Sequence, residues 1–301
     1  MTLPDQQQPD LTLLVHAFDS FAVRKDDEPL KQCWLQDVRL EIKMDWQGYL
    51  GYCPLCEAIL AFDHAPAGEP RPLSTREDLI CPGCSLNSRV RATFAMLLRE
   101  CQLGPDSVTY LTEQATRAFV WAQDHLPGRV IGSEFQPDPD ERGKLTEWLH
   151  ALGGSGEVEF NDVTDLGFES GGIDAILSMD VLEHVPDYRR ALSEFARVLR
   201  PGGCLLATFP FCDAPQTIVR ARLRGGEIEH LLEPEYHGDP IGGGVLCWYH
   251  FGWDLLDACR EAGFANARML MPWSRQYGFQ YGLWTLVAEN GDGSGAERVK
   301  A

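Results

Sequence analysis

IDAILSMDVLEHVPDYRRALSEFARVLRPGGCLLATFPF, residues 173–211, holds a strand, a helix and a second strand in one continuous run. IDAILSMD (173–180) is apolar and ends at Asp180. A short connection then carries Glu183 and His184, and Pro186 suits the first turn of a helix, where its missing N–H costs nothing. Tyr188, Leu192, Phe195 and Leu199 recur at helical spacing and make one apolar stripe. Pro201-Gly202-Gly203 stops that helix and turns the chain into GGCLLATFPF (202–211).

The same alternation extends upstream. VTYL (108–111), VIGSEF (130–135) and EVEF (157–160) read as strands, with the helical segments ATRAFVWAQDHL and GKLTEWLHALG between them. Strands alternating with helices imply right-handed crossovers and a mostly parallel, doubly wound α/β sheet. Segment 212–247 breaks the pattern and reads as an insertion. A helix at 250–264 and a closing strand at 281–289 then complete the sheet. The domain therefore runs over 105–290. Ahead of it stand an extension (1–48, with the apolar patch LTLLVHAF at 11–18) and a cysteine-bearing module with its connecting helix (49–104). Residues 291–301 are expected to form a disordered tail.

At 301 residues the chain can bury a sizeable core, and 44% hydrophobic with 24% charged residues is ordinary for a globular protein. MTLPDQQQPD lacks the basic start and apolar core of a signal peptide, and no run reaches the ~18–20 apolar residues of a membrane span. A cytoplasmic protein is the expectation. A net charge of −19 argues against a general nucleic-acid binder, which needs clustered Lys and Arg.

Four of the ten cysteines form two pairs, Cys53/Cys56 and Cys81/Cys84, in a CxxC-x24-CxxC pattern. One tight turn aims both sulfurs of a pair at the same point, and two such turns supply the four thiolates that tetrahedral Zn²⁺ prefers. Four thiolates close the shell, so the expected zinc is structural. The six scattered cysteines are expected to be reduced thiols. Arg89 and Arg91 follow the second pair, either to meet an anionic substrate or to solvate the start of a helix.

The 173–211 block resembles the class I S-adenosylmethionine-dependent methyltransferases, whose fourth strand, next helix and fifth strand read much like VLEHVPDYRRAL…RVLRPGG. NDVTDLGFESGGIDAIL (161–177) resembles the end of that family's third strand. The likeness covers roughly 105–290. It extends to a bacterial subgroup in which paired CxxC motifs precede the domain, with segments similar to PEYHGDP (234–240) and YHFGWDLL (249–256). The resemblance implies a Rossmann-like class I methyltransferase sheet with an N-terminal zinc-ribbon-like module. It also implies S-adenosylmethionine as cofactor. By position, Glu134 would accept from the ribose hydroxyls and Phe135 would pack on the adenine. Asp162 would meet the adenine amino group beside the Val163 N–H, and Asp180 would lie near the methionyl arm. All four stand at strand ends, where α/β sheets bind ligands; helix capping and solvated loop charge are the structural alternatives. The family's usual three glycines after the first strand are replaced by Thr112, Gln114 and Thr116, a departure that the CxxC subgroup shares. Glu113 could pair with the cofactor's ammonium, while Thr112 and Gln114 offer hydrogen bonds. Glu183 and His184 are expected to cap or orient their turn.

The insertion 212–247 stands where a substrate lid would, and it carries Tyr236, His237 and Asp239 in EPEYHGDP. His237 is the first candidate for a general base and His250 the second, with anchoring of a structured loop as the alternative for each. Arg220, Arg222 and Arg224 alternate, to bind an anionic group or to solvate a face. The expected activity is methyl transfer to a small-molecule, glycan-type or natural-product acceptor. RNA methylation and a non-catalytic assembly module are the rival readings.

Overall fold

The computed structural model describes residues 12–41, 49–64, 74–238 and 244–291. Asp239, the start of the N-terminal extension and the tail after Gly291 lie outside them. The elements in chain order begin with β1 (Leu14–Phe18), α1 (Phe21–Arg24), α2 (Glu28–Glu41), β2 (Tyr49–Cys53), β3 (Ala58–His64), β4 (Leu79–Ile80) and α3 (Ser88–Glu100). There follow β5 (Val108–Leu111), α4 (Arg117–His125), β6 (Arg129–Gly132), α5 (Pro139–Ala151), β7 (Ile173–Met179), α6 (Tyr188–Val198) and β8 (Leu199–Thr208). The short strands β9 (Ile218–Val219), β10 (Ala221–Arg224), β11 (Glu227–His230), β12 (Tyr236–His237), β13 (Val245–Leu246) and β14 (Tyr249–His250) occupy the insertion and its exit. The chain closes with α7 (Leu255–Ala262), β15 (Asn266–Trp273) and β16 (Thr285–Glu289). It divides into two compact units: residues 1–17, 27–96 and 271–283 form the first, and 18–26, 97–270 and 284–301 the second.

In the second unit the strands of the main sheet run in the order β15-β16-β8-β7-β5-β6. β5 pairs parallel with β6 and β7, and β7 with β8, while β16 joins β8 and β15 antiparallel. The sheet is thus Rossmann-like and parallel through its centre. Its middle strands are apolar on both faces: Ala175, Ile176 and Leu177 on β7, with Leu205, Leu206 and Ala207 on β8, are wholly buried. The α6 stripe buries Leu192 and Phe195. Caps set the helix starts, with Thr116 Oγ1 accepting from the Phe119 N–H, Asp138 from the Asp140 and Glu141 N–H groups, and Asp187 from the Arg190 N–H. Gly263, at φ 113°, ends α7 in the left-handed region.

Three expectations change. EVEF is not a strand: only an isolated parallel bridge joins Phe160 to Glu134. Its Gln114-held backbone at Glu157 and Glu159 leaves no ladder beyond that bridge. β15 was not foreseen, because NARMLMPW mixes Asn, Arg and Pro and lacks a strand's alternation. Cys101 and Cys204 form a disulfide with Cα atoms 6.7 Å apart, so those two of the scattered cysteines are not reduced thiols. Among the described residues no helix is long and apolar enough to cross a membrane.

The first unit holds an antiparallel sheet, β2-β3-β4. Cys53 ends β2 and Cys81 follows β4, so the strands deliver one sulfur of each CxxC pair. The residue after each pair, Glu57 at φ 51° and Ser85 at φ 59°, is left-handed, the turn that folds the second sulfur back toward the first.

Candidate functional site

The four cysteines of the first unit converge. Their sulfurs all lie within 4.8 Å of one another, with Cys53–Cys84 and Cys56–Cys81 each at 3.8 Å. A tetrahedron with Zn–S bonds of about 2.3 Å has edges of about 3.8 Å. Without a cation four such thiols cannot all ionise. A hydrogen bond from Cys84 brings Cys53 down to about 5, while burial, reinforced by the Cys53 thiolate, pushes Cys56 up to about 12. Arg91 neither solvates a helix nor reaches outward. It is fully buried, with its guanidinium 4.2 Å from the Phe62 ring centroid, donating to Tyr277 O at 2.9 Å and to Ser88 Oγ at 3.0 Å. Burial lowers its pKa and the nearby cysteine sulfurs oppose that, as a cation beside a thiolate cluster requires. Arg89 instead pairs with Glu77, at 2.9 Å.

In the second unit the strand order reverses at β5: the chain leaves it for β6 on one side and returns for β7 on the other. Ligands of such sheets bind at that point, outside the strands' carboxyl ends. The turn after β5 is organised by side chains where glycines are absent. Glu113 Oε1 accepts from the Met179 N–H at 3.1 Å, and Oε2 accepts from the Thr112 hydroxyl at 2.6 Å. Glu134 Oε1 accepts from the Ala115 N–H at 2.7 Å. The Gln114 amide is buried and spans to Glu157 O at 2.8 Å and the Glu159 N–H at 2.9 Å, so both its ends are committed to backbone. Asp180 ends β7 at φ 59°, accepting from the Thr208 hydroxyl at 3.0 Å. Asp162 Oδ1 closes an Asx turn on Thr164, at 2.8 Å to its N–H and 2.7 Å to its hydroxyl, and Val163 beside it is buried. Phe135 is 67% exposed with Phe160, 42% exposed, at 5.8 Å between ring centroids. Sequence reading missed Phe160, whose pairing depends on the bridge to Glu134.

The short turn after β7 meets the insertion. Pairing of β12 with β13 sets His237 beside His184, with His237 Nδ1 at 3.2 Å from His184 Nε2. The wholly buried Glu183 places Oε1 at 3.5 Å from His237 Nδ1 and 3.7 Å from His184 Nε2. Burial raises its pKa. Glu235 Oε1 lies 3.1 Å from both His237 Nε2 and His250 Nε2, so the two candidate bases share one carboxylate oxygen. The Cys247 sulfur, Glu183 and Glu235 push His237 up to about 11. Tyr236 is exposed. Arg220 pairs with Glu235 at 3.1 Å and Arg222 with Glu229 at 2.8 Å, while Arg224 approaches Glu229 at 3.9 Å, so the alternating arginines are met by acidic neighbours. Glu183, Glu235 and Cys247 were not among the residues expected to carry chemistry; each comes to His237, which the register of β12 on β13 places.

Residues 114–207 match the family described as a methyltransferase domain. A stretch of 129 residues is 30% identical to a ubiquinone biosynthesis O-methyltransferase of Rhizobium johnstonii, covering 38% of this chain and 50% of that protein. Another of 80 residues is 35% identical to a demethylmenaquinone methyltransferase of Staphylococcus saprophyticus, covering 26% of this chain and 33% of that protein. An S-adenosylmethionine-dependent methyltransferase structure from Mesorhizobium loti aligns over 69% of this chain and 100% of that one, at 18% identity and a TM-score of 0.46. The chain spans about a quarter to a half of the length of the first curated relatives it matches. The matched family segment begins at Gln114 in the turn after β5 and ends at Ala207 in β8, so it brackets the point where the strand order reverses. Residues 114–207 are thus similar to a methyltransferase domain, and the strand order of the sheet they form is compatible with that likeness.

Proposed function

We propose that the protein transfers a methyl group from S-adenosylmethionine to a hydroxyl oxygen of a small-molecule acceptor, and that its cysteine cluster holds a structural Zn²⁺. The observation that carries the reading is the gathering of Glu113, Glu134 and Asp180 at the ends of β5, β6 and β7, around the point of strand-order reversal. The relatives named above for ubiquinone and demethylmenaquinone support a small acceptor of quinone type. Glycan-type and other natural-product acceptors share the same requirement for a positioned hydroxyl.

S-adenosylmethionine, when bound, supplies an electrophilic methyl group. The side chains around it have separable tasks. Glu134 accepts from the ribose hydroxyls, the exposed Phe135–Phe160 pair offers a face for adenine, and Asp162 with Val163 stands at the adenine edge. Glu113 and Asp180 bring negative charge to the amino acid end, and the Thr112 hydroxyl and Gln114 brace that turn. Positioning supplies much of the rate in such a transfer, and the acceptor hydroxyl must also lose a proton. His237 is poorly suited to take it, because its two ring nitrogens are already engaged by His184 and Glu235. His250, oriented by Glu235, takes the role of base; Tyr236 and Asp239 remain candidates for holding the acceptor.

Calorimetry with S-adenosylmethionine and the full chain tests the reading. Saturable one-to-one binding is expected, and Glu134→Ala should weaken it. Absence of heat and of any cofactor-dependent thermal shift would sink the enzyme reading.

A further inference from the structure

The convergence of Glu183, His184 and His237 is built like a coordination site. His184 Nδ1 lies 2.9 Å from Leu246 O, which can only accept, so the proton sits on Nδ1 and Nε2 presents its lone pair. His237 Nε2 likewise faces Glu235 Oε1 at 3.1 Å, leaving Nδ1 to face inward. Both imidazoles are thus held from behind by an oxygen, as metal-ligating histidines are. Their inward nitrogens stand 3.2 Å apart, with Glu183 Oε1 at 3.5 Å and 3.7 Å. Ligands at about 2.0–2.2 Å from one ion have tetrahedral edges of about 3.3–3.6 Å. The carboxylate adds a second, independent sign: Glu183 is wholly buried and neither of its oxygens has a hydrogen bond. A buried carboxylate without a hydrogen bond is costly. A proton shared by the two imidazoles would account for the 3.2 Å approach and still leave that carboxylate without a hydrogen bond.

We propose that Glu183, His184 and His237 bind a first-row divalent transition-metal ion, separate from the cysteine cluster, with Leu246 O and Glu235 orienting the two histidines. Imidazole and carboxylate together suit Zn²⁺ and its neighbours in the series. The overlapping group Glu235, His237 and Cys247 is the weaker candidate. Its Glu235 already meets His237, His250 and Arg220, and the Cys247 sulfur lies 3.3 Å from Tyr249 O. Three protein ligands leave positions for water or an acceptor oxygen. Use of the site on an acceptor rests on the methyltransferase reading; metal binding does not.

Metal content of the full chain, dialysed in Zn²⁺ and freed of loosely held metal, provides the test by plasma mass spectrometry. Two Zn²⁺ per chain are expected for the wild type, one for Glu183→Gln and one for His184→Ala. In the Co²⁺-loaded protein, Glu183→Gln should lose part of the visible ligand-field absorption while thiolate-to-cobalt charge transfer stays unchanged. Circular dichroism of Glu183→Gln should match the wild type. One Zn²⁺ in the wild type would overturn the proposal, as would two in Glu183→Gln, or loss of the second ion in Cys247→Ser with retention in Glu183→Gln. S-adenosylmethionine titration of the same samples reads the methyltransferase proposal separately, so either can fail alone.

Discussion

At the scale of single residues, the turn after β5 shows how side chains stand in for a glycine loop. Glu134 was legible as a strand-end carboxylate; that one of its oxygens accepts from the Ala115 N–H was not, because that bond forms only once the loop folds back. The same holds for Gln114, whose amide is committed to backbone some forty residues further on. Hydrogen bonds to a charged acceptor contribute about 1.5–3 kcal/mol, so Glu134→Ala should weaken S-adenosylmethionine roughly 10- to 100-fold by calorimetry. Glu134→Gln, which keeps an acceptor for Ala115, should retain more of the stability than of the affinity. Equal cofactor affinity in wild type and both variants would refute the assignment. Asp180 makes a different case. A non-glycine residue at φ 59° costs on the order of 1 kcal/mol, and here the strain sits at the proposed methionyl end. Asp180→Gly relieves it, so its melting temperature should stay near that of the wild type while cofactor affinity falls. Asp180→Ala should lose both. If the glycine variant bound cofactor normally, Asp180 would be only a turn residue.

At the scale of elements, the paired knuckles were the most legible part of the chain, because CxxC spacing alone fixes which sulfurs can meet. The registers of β2 and of β4 on β3 then bring the pairs within 4.8 Å. Hidden from sequence was Arg91, which reads as a helix-start cation and is instead enclosed between Phe62 and Phe279. Gly83 is also a packing requirement: a Cβ there would stand 2.9 Å from Cys56 Sγ. Removing metal with a strong chelator should therefore collapse hydrogen-exchange protection across Tyr49–Cys84, while the amides of β7 and β8 stay protected. Gly83→Ala should lower Zn²⁺ retention in the same direction. Unchanged protection after verified metal loss would remove the structural role of the ion. EVEF failed as a strand for the converse reason. Only Val158 of its two apolar residues is buried, and strand pairing depends on a partner ladder that a four-residue window does not show.

At the scale of the whole molecule, parallel strand order follows from the alternation of apolar runs and helical stripes, which is why the centre of the sheet was readable and its antiparallel strand β15 was not. Charge acts at the same scale. The excess of acidic residues that gives −19 argued against nucleic acid, and many of those carboxylates are tied into the fold rather than solvated. Glu194 on α6 is buried and accepts from Arg197 Nη2 at 2.7 Å and Nε at 2.9 Å, and from the Leu166 N–H at 2.9 Å. Arg197 first, then the Leu166 amide, hold its pKa below the ordinary carboxylate value. Glu289 on β16 is lowered in the same way, first by Arg268, whose Nη2 lies 2.9 Å away. A depressed folded-state pKa means that these groups bind their protons more weakly when folded. The stability they contribute is present above the unfolded value of about 4.3 and is lost as pH falls through the lower folded one. Unfolding midpoints should therefore drop steeply from about pH 5 downward. The double variant Glu194→Gln/Glu289→Gln, which cannot titrate at those positions, should be less stable than the wild type at neutral pH and should show a shallower acid slope. The two denaturant curves should converge toward the acid end. Parallel pH profiles, separated by a constant offset, would mean that the two carboxylates contribute packing and hydrogen bonds without the proton linkage argued for them.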